Sequence, residues 1–308
     1  MTSGNPPATM PQFSIIIAVF NDWAPLNPCL RSLAQQADRS EFEVIVVDDG
    51  SNETAPEVIR QWADGLPLTI VRQSHAGVSA ARNHGIQISK GPILLFVDAD
   101  CRLHTDCLVA LESAIIASPQ HNCFQLHLVG DCSGIVGRAE ELRLITLQSH
   151  LLQPSGCIRY LNTAGFAIRR ARVNIEEGLF DPVAIRAEDT LLLANLMQVG
   201  ELPFFVADAT VQHVISRSMT ECLRKEARSA YLESETYDLI ASRGVRIRVS
   251  HRERLSMLLS MWKTSGKDSI GRSAWFLLTA RQLVHLTVRL LTDLFGIRPP
   301  SPVPEDSH

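Results

Sequence analysis

A short, wholly apolar run that ends in two carboxylates constrains this chain more than any other segment. Residues 93–97 read Ile-Leu-Leu-Phe-Val, and Asp98-Ala99-Asp100 follows directly. Such a run is typical of a strand that is buried on both faces of a parallel sheet. Ligands of open α/β sheets bind outside the carboxyl ends of the strands. Two acids at such an end can hold a divalent cation that neutralises a bound diphosphate. The junction therefore predicts a metal-assisted nucleotide site.

Three further apolar runs precede this junction. Residues 13–20, 42–47 and 68–71 are predicted to be strands, and polar or acidic residues close the first two. The segments between them carry apolar residues at helical spacing. One of these helices is expected to begin at a cap formed by Ser51 or Asn52. The resulting order, β-α-β-α-β-α-β, is typical of a nucleotide-binding α/β domain.

A series of short motifs follows a characteristic order along the chain. The first four read IAVFND, VIVVDDGS, HAGVSAARNHG and FVDAD, and they begin at residues 17, 44, 75 and 96. The others read AGFAIRR, GLFD, ED and VQH, and they begin at residues 164, 178, 188 and 211. In this order and spacing they resemble the family 2 glycosyltransferases over about residues 12–215. A single Asp-x-Asp motif is weak evidence for a family, whereas the ordered series of motifs is specific evidence.

The resemblance implies the fold and the division of the chain. The fold would be GT-A, the nucleotide-diphospho-sugar transferase fold of the α/β class, with a mixed central sheet flanked by helices. Residues 12–102 would form the nucleotide-sugar half of the catalytic domain and residues 103–215 the acceptor half. A helical C-terminal extension is expected over 216–297.

The resemblance also implies roles for single residues on the nucleotide side. Ala18, Phe20 and Asp49 would contact the base and the ribose. Arg82 would offer a fixed positive fork to the nucleotide. Asp98 would face the ribose.

A divalent metal and a catalytic base are implied in the same way. Asp100 would bind Mg²⁺ or Mn²⁺ directly, and His213 matches a further ligand. Asp189, beside Glu188, matches the catalytic base. Because these two acids open a predicted helix, its backbone N–H groups are expected to help keep the Asp189 carboxylate ionised.

The chemistry of sugar transfer needs these groups. Charge grows on the departing diphosphate as its bond breaks, and a carboxylate must accept the proton of the incoming hydroxyl. A base opposite the leaving group favours direct displacement with inversion. Family habit favours a UDP-linked donor, and the acceptor would be a glycan, a lipid-linked glycan or a small molecule.

Ordinary structural roles remain open for each assigned residue. The acids at 48–49 and 98–100 suit a helix cap or a solvated turn. Glu188-Asp189 suits the start of any helix. His213 suits a packed or surface position, and Arg82 suits a helix surface.

Two other function classes also remain open. One is a homologue that binds a sugar nucleotide without turnover, although the presence of Asp189 argues against it. The other is a receiver-like phospho-acceptor module, because Val-Ile-Val-Val-Asp-Asp at 44–49 suits its first strand and acid pocket. A strand-helix unit before that segment fits this class poorly.

The composition favours a cytoplasmic enzyme. The net charge of −4 provides no general attraction to nucleic acid. Seven scattered cysteines without a C-x-x-C pair indicate reduced core residues rather than a disulfide framework. Residues 1–11 and 298–308 are Pro-rich and are expected to form a disordered lead-in and a flexible tail.

The C-terminal helices leave two interpretations open. Residues 274–296 are largely apolar, but Arg281, His285 and Arg289 recur every fourth residue and form one basic face. Such a helix suits peripheral contact with the inner face of a membrane. Alternatively, the helices cover the catalytic domain or form a homodimer contact.

Overall fold

Strands and helices alternate through the first hundred residues, as the apolar runs predict. The computed structural model describes residues 12–36, 41–184, 186–215, 217–242, 244–245, 247, 251–266 and 269–297, so the predicted lead-in and tail lie outside the described residues. The first seven elements are β1 Phe13–Val19, α1 Leu26–Ala34, β2 Phe42–Asp48, α2 Glu57–Arg60, β3 Leu68–Arg72, α3 Val78–Ile88 and β4 Ile93–Phe96.

The predicted cap at Ser51 or Asn52 is wrong. Helix α2 begins at Glu57, and the residue before it is Pro56 in an extended conformation. Because proline restricts the residue before it to extended backbone, a helix cannot run through Ala55. Ser51 instead forms hydrogen bonds that stabilise the turn after β2 and connect it to the turn after β1. Its backbone N–H donates to Asp48 Oδ1 at 2.8 Å, and its hydroxyl oxygen accepts from the Asn21 N–H at 2.8 Å.

The second half of the chain completes the sheet and adds helices. Its elements are β5 Cys101–Leu103, α4 Cys107–Ala117, β6 Cys123–Gly130, α5 Gly134–Leu151, β7 Phe166–Arg169, α6 Glu188–Gln198 and β8 Phe204–His213. Three longer helices follow, namely α7 Met219–Ser242, α8 His251–Thr264 and α9 Ser269–Phe295.

One mixed sheet runs through both halves in the order β3-β2-β1-β4-β7-β6-β8-β5. Strands β3, β2, β1 and β4 are parallel, whereas β7 is antiparallel to β4 and to β6. This confirms the predicted mixed sheet with flanking helices. Since parallel strands share one carboxyl edge, the residues after β1, β2 and β4 meet there.

Helix α3 packs closely on the centre of the sheet because of one glycine. A Cβ atom at Gly85 would lie 2.5 Å from Ile16 Cγ2 on β1. Only a residue without a side chain permits this approach. Arg82 stands three residues before Gly85 and so lies on the same buried face of α3, which the contact holds against the sheet.

The basic face of α9 points inward. Arg281 and His285 both bond to Glu226 of α7, and Arg289 lies over the Tyr237 ring at 5.3 Å. Apolar residues of α9 pack with α5 and α8 in a small core of Ala139, Leu142, Met261, Ala274, Leu277 and Leu278. Helix α9 thus packs on α5, α7 and α8. In the described part of the chain, no helix combines the length and apolarity needed to cross a bilayer.

The seven cysteines are all free, as predicted. Five of them are buried, while Cys132 is exposed and Cys157 is half-buried. Burial raises the pKa of the Cys107 thiol to about 12, so this side chain packs as a neutral group.

Candidate active site

Arg82 joins three elements at the acidic edge of the sheet. Its guanidinium donates to Asp98 Oδ1 at 2.9 Å, just after β4, and to Glu188 Oε1 at 2.8 Å, at the start of α6. Only 4% of Arg82 is exposed. The planar fork of arginine suits two carboxylates held in fixed positions. Arg82 therefore lies inside the predicted site and not on a helix surface.

Asp100 and His213 face each other across the β5–β8 ladder. His213 Nε2 lies 3.4 Å from Asp100 Oδ2. On its other side, His213 Nδ1 lies 3.2 Å from Glu140 Oε1. Burial lowers the pKa of His213, but hydrogen bonds and the charges of Asp100 and Glu140 raise it overall, to about 10. The two carboxylates thus hold the imidazole in one orientation.

Glu140 is in turn fixed by Arg143, one helical turn along α5. Arg143 Nε donates to Glu140 Oε2 at 2.9 Å and Arg143 Nη2 donates to Oε1 at 2.5 Å. Glu140 is almost fully buried. Although burial opposes ionisation, the Arg143 charge and these hydrogen bonds hold the pKa of Glu140 well below its usual range. Glu140 is therefore a permanently charged support for His213.

The side chains of Asp100 and His213 provide only part of the ligands that a metal ion needs. Among the described residues, no three His, Cys, Asp or Glu side chains are grouped to hold a metal ion. Asp100 and His213 form a pair of one carboxylate and one imidazole. Protein sites for Mg²⁺ that accept phosphates use one or two carboxylates and leave the other positions to the substrate and water. The pair fits a cation that shares its coordination with a substrate.

Two further positively charged side chains, Arg217 and Lys225, lie close to Asp100. Burial raises the pKa of the Asp100 carboxyl, but the hydrogen bond to His213 and the charges of His213, Arg217 and Lys225 lower it overall. Arg217 and Lys225 line the same cavity as Asp100. Asp100 is therefore an ionised acid with positively charged side chains around it.

Asp189 has an environment unlike that of its neighbour Glu188. Burial and the adjacent charge of Glu188 raise the pKa of Asp189 to about 7. The Arg82 charge and hydrogen bond lower the pKa of Glu188, against the effect of burial. Thr190 N–H does donate to Asp189 Oδ1, at 2.6 Å, but this bond does not offset the other effects. The helix start therefore does lower the pKa of Asp189, as expected, but burial and the charge of Glu188 outweigh it.

Asp49 lies outside the main cavity and holds a loop. Its carboxylate oxygens accept from Gln73 Nε2, Ala76 N–H and Gly77 N–H at 2.7 to 3.0 Å, and His75 Nδ1 lies 2.8 Å from Oδ2. Contact of Asp49 with a base stays a prediction, and it would require one of these bonds to be exchanged.

Phe20 and Ala18 lie at the end of β1, next to this loop. The exposed Phe20 ring stacks on the His75 ring with 4.0 Å between centroids and 14° between planes. Ala18 is half-buried and packs against the core behind it. His75 also lines a shallow depression with Gly50, Arg72, Gln73 and Ser74. The two rings therefore form a flat aromatic surface at the sheet edge.

A cavity of about 570 Å³ connects most of the predicted residues. Arg82, Asp98, Asp100, Asp189 and His213 all line it. Helices α5, α7, α8 and α9 contribute further lining residues, among them Glu140, Arg143, Lys225, Glu226, Arg254 and Arg281, and the loop before α6 adds Arg186. The C-terminal helices thus form one wall of the site.

Sequence reasoning missed His75, Glu140 and Arg143. Glu140 and Arg143 stand three residues apart in a segment without a decodable pattern, and this spacing is that of ordinary surface ion pairs. Buried polar residues such as Thr146 and Gln148 interrupt the apolar face of α5, so its periodicity is weak. His75 lies in a motif of the series, and its position next to Asp49 is visible only in the fold.

Comparison with known proteins identifies relatives of the first half of the chain. Residues 14–176 match the family model described as Glycosyl transferase family 2. The glycosyltransferase AglE of Haloferax volcanii is 38% identical over 105 residues, which cover 33% of this chain and 34% of that protein. The chain spans about a third of the length of the curated relatives it matches. These matches contradict the phospho-acceptor alternative.

Solved structures resemble the whole fold. The mannosyltransferase PcManGT from Pyrobaculum calidifontis, in complex with GDP-Man and Mn²⁺, gives a TM-score of 0.63 at 16% identity, covering 94% of this chain and 89% of that one. Residues 1–349 of S. aureus TarS, in complex with UDP-GlcNAc, give a TM-score of 0.54 at 16% identity, covering 92% of each chain. At this identity the likeness concerns the fold, including the predicted GT-A architecture.

Proposed function

The chain belongs to glycosyl transferase family 2, and we propose on this premise that it moves a sugar from a nucleotide-diphosphate sugar to an acceptor hydroxyl. The observation that carries this proposal is the common cavity of Asp98, Asp100 and Asp189. The two acids proposed for the donor side, Asp98 and Asp100, and the acid proposed for the acceptor side, Asp189, thus line the same cavity. A binding-only homologue would have no need of the third acid.

We propose that Asp100 and His213 hold a divalent metal, either Mg²⁺ or Mn²⁺. The metal would supply positive charge to the diphosphate as the sugar bond breaks. PcManGT contains Mn²⁺ with its donor, which supports metal use by this fold. Glu140 would orient His213 by accepting its Nδ1–H, and Arg143 would hold Glu140 in place.

Arg217 and Lys225 would share in stabilising the departing diphosphate. Their charges act on Asp100 from the cavity wall. Preorganised positive groups stabilise a charge that develops in the transition state without reorganising at that moment. Arg82 would have a different role, because both sides of its fork are bonded to Asp98 and Glu188. It would fix the position of these two acids against each other.

Asp189 would accept the proton of the acceptor hydroxyl. A general base is most effective when its pKa lies near the working pH, and burial next to Glu188 places that of Asp189 at about 7. Arg82 keeps Glu188 ionised, so the neighbouring charge that raises the Asp189 pKa persists. Attack by the activated hydroxyl on the face opposite the diphosphate would invert the anomeric configuration.

The donor is proposed to be UDP-linked, and its base would lie near the aromatic pair of Phe20 and His75. The fold neighbours contain GDP-Man in one case and UDP-GlcNAc in another, so both nucleotides belong in the test. The acceptor is proposed to be a glycan, a lipid-linked glycan or a small molecule, bound in the cavity between Asp189 and the C-terminal helices.

A screen of sugar nucleotides for metal-dependent hydrolysis without acceptor tests the proposal. We expect turnover with one nucleotide class, loss of metal-dependent nucleotide binding in Asp100→Ala, and retained binding without transfer in Asp189→Ala. Normal transfer by Asp189→Ala would show that another group is the base. Absence of nucleotide binding across the screen would contradict the assignment as a whole.

A further inference from the structure

Helix α9 carries polar residues on the side that faces the cavity and many large apolar residues at exposed positions. Arg281, Gln282 and His285 line the cavity, and Arg281 and His285 bond to Glu226. The exposed positions of α9 include eight large apolar residues that are each between 45% and 71% exposed, namely Ile270, Phe276, Leu283, Leu286, Leu290, Leu291, Leu294 and Phe295. A helix on a soluble surface normally has the reverse arrangement.

The apolar surface continues onto α8. Leu255, Leu259 and Trp262 are also exposed, and Trp262 packs edge-to-face against Trp275 at 4.9 Å between ring centroids. At 1.5 Å per residue, the 27 residues of α9 extend about 40 Å. Contiguous apolar patches of this extent mark an interaction surface. We call these exposed apolar residues of α8 and α9 the outer face.

Positive charge accompanies the outer face. Of the exposed charged side chains described on α8 and α9, Arg252, Lys263 and Arg272 are basic and Asp293 is acidic. Basic residues next to an apolar helix face are typical of helices that bind anionic lipid.

A second copy of this chain would suit the outer face less well. In a two-fold symmetric dimer the same patch faces itself. Arg252, Lys263 and Arg272 of one copy would then approach a patch with the same excess of positive charge. An anionic bilayer surface has both properties that complement the outer face, an apolar interior and a negative boundary.

We propose that the outer face binds the surface of an anionic membrane, with α8 and α9 lying in the interface rather than crossing it. Polar residues of α9 line the cavity, so the same helix would place the active site next to the lipid. This proposal does not depend on the proposed transfer reaction, because lipid binding and nucleotide turnover are measured separately.

Vesicle flotation tests the proposal directly. The probes are phosphatidylcholine vesicles with and without phosphatidylglycerol. We expect the protein to float with the anionic vesicles and to be released as salt is raised. The double variant Leu283→Glu/Leu290→Glu should lose at least tenfold in affinity, because each side chain contributes apolar area to the interface. The double variant Arg252→Glu/Lys263→Glu should lose about 25-fold or more, at about fivefold for each basic residue.

Matched variants away from the outer face serve as controls. Ile116 on α4 is 70% exposed, and Ile116→Glu should float like the original protein. Lys90→Glu controls for charge, since Lys90 is an exposed lysine beyond α8 and α9. Circular dichroism checks that each variant is folded.

Three outcomes would overturn the proposal. One is a folded original protein that does not float with anionic vesicles. Another is unchanged flotation of both double variants. The third is a dimer in sedimentation experiments that Leu283→Glu/Leu290→Glu converts to a monomer without any lipid binding, which would assign the outer face to a second copy.

Discussion

Arg82 and Glu188 form a buried ion pair across 106 positions of sequence, with 2.8 Å between Nη1 and Oε1. This contact ties helix α3 to the start of α6. It also separates the properties of two adjacent acids, because Glu188 is stabilised as an anion while the pKa of Asp189 is raised. Neighbouring carboxyls with pKa values pushed apart are typical of acid–base sites.

The pH dependence of transfer should follow Asp189. Because its pKa is raised to about 7, we expect kcat/KM to rise with pH through about 7 and to level off above it. In Glu188→Gln the neighbouring negative charge is absent, so the profile should shift to lower pH. Steady-state measurements of kcat/KM as a function of pH provide the test. A profile that is identical in both proteins would assign the titration to another group.

Loss of Asp189 should remove transfer and leave donor binding intact. Removal of a positioned general base typically costs 10² to 10⁴ in rate. We therefore expect Asp189→Asn to lower kcat by about 10²-fold or more, with an unchanged dissociation constant for the nucleotide by calorimetry. Asp208→Asn, at an exposed position on β8, is the matched control. Equal losses in both variants would indicate a general effect on folding.

The substitution Asp189→Asn should also make the protein more stable than the original at high pH. The folded pKa of Asp189, about 7, lies above its ordinary value of 3.8, so the folded state binds the proton more tightly. The free energy of unfolding therefore falls as pH rises from about 4 to above 7. Because Asn carries no charge, the Tm of Asp189→Asn should exceed that of the original protein increasingly between about pH 5 and pH 8. A constant difference in Tm would contradict the raised pKa.

Glu140 should affect metal affinity without contacting the metal. If it orients His213, Glu140→Gln should weaken Mn²⁺ binding by about 10- to 100-fold, the usual effect of losing such a support. Electron paramagnetic resonance of free Mn²⁺ measures this without any turnover. Glu57→Gln, at an exposed glutamate paired with Arg60, should leave the affinity unchanged. Unchanged affinity in Glu140→Gln would restrict this residue to a packing role.

Removal of Arg82 should be costly for stability. Arg82→Met leaves the largely buried Glu188 carboxylate without its partner, and breaking a buried pair from one side typically costs about 3 kcal/mol or more. The ion pair of Arg82 with Asp98 adds less to this cost, because Asp98 is more exposed. Arg60→Met breaks an exposed pair and should cost below about 1 kcal/mol. Urea denaturation at neutral pH compares the two variants.

The apolar runs predicted β1, β2 and β4 well because these strands are buried on both faces. β1 and β4 are continuous hydrophobic segments, and such segments tolerate few other structures at that length. Ser51 shows where local reasoning fails. Its hydroxyl suits a helix cap, but Pro56 sets the start of α2 and the hydroxyl bonds to the turn after β1 instead.

The site residues were predictable where a strand end places them and not where helices from distant positions meet. Asp98 and Asp100 follow β4 directly, so their location at the sheet edge is a consequence of topology. The bonds between His213 and Glu140, and between Arg82 and Glu188, join residues 73 and 106 positions apart. The raised pKa of Asp189 could not be inferred from a helix start, because it depends on burial.

The antiparallel pairing of β4 with β7 has a mechanical consequence. Residues 93–96 and 166–169 share one ladder of backbone hydrogen bonds, so the strands of the first and second halves of the chain are parts of a single sheet. Opening a hinge between them would break that ladder. Under the proposed function, access for substrates would come from movement of the loops and helices at the rim and not from a hinge between the two halves of the sheet.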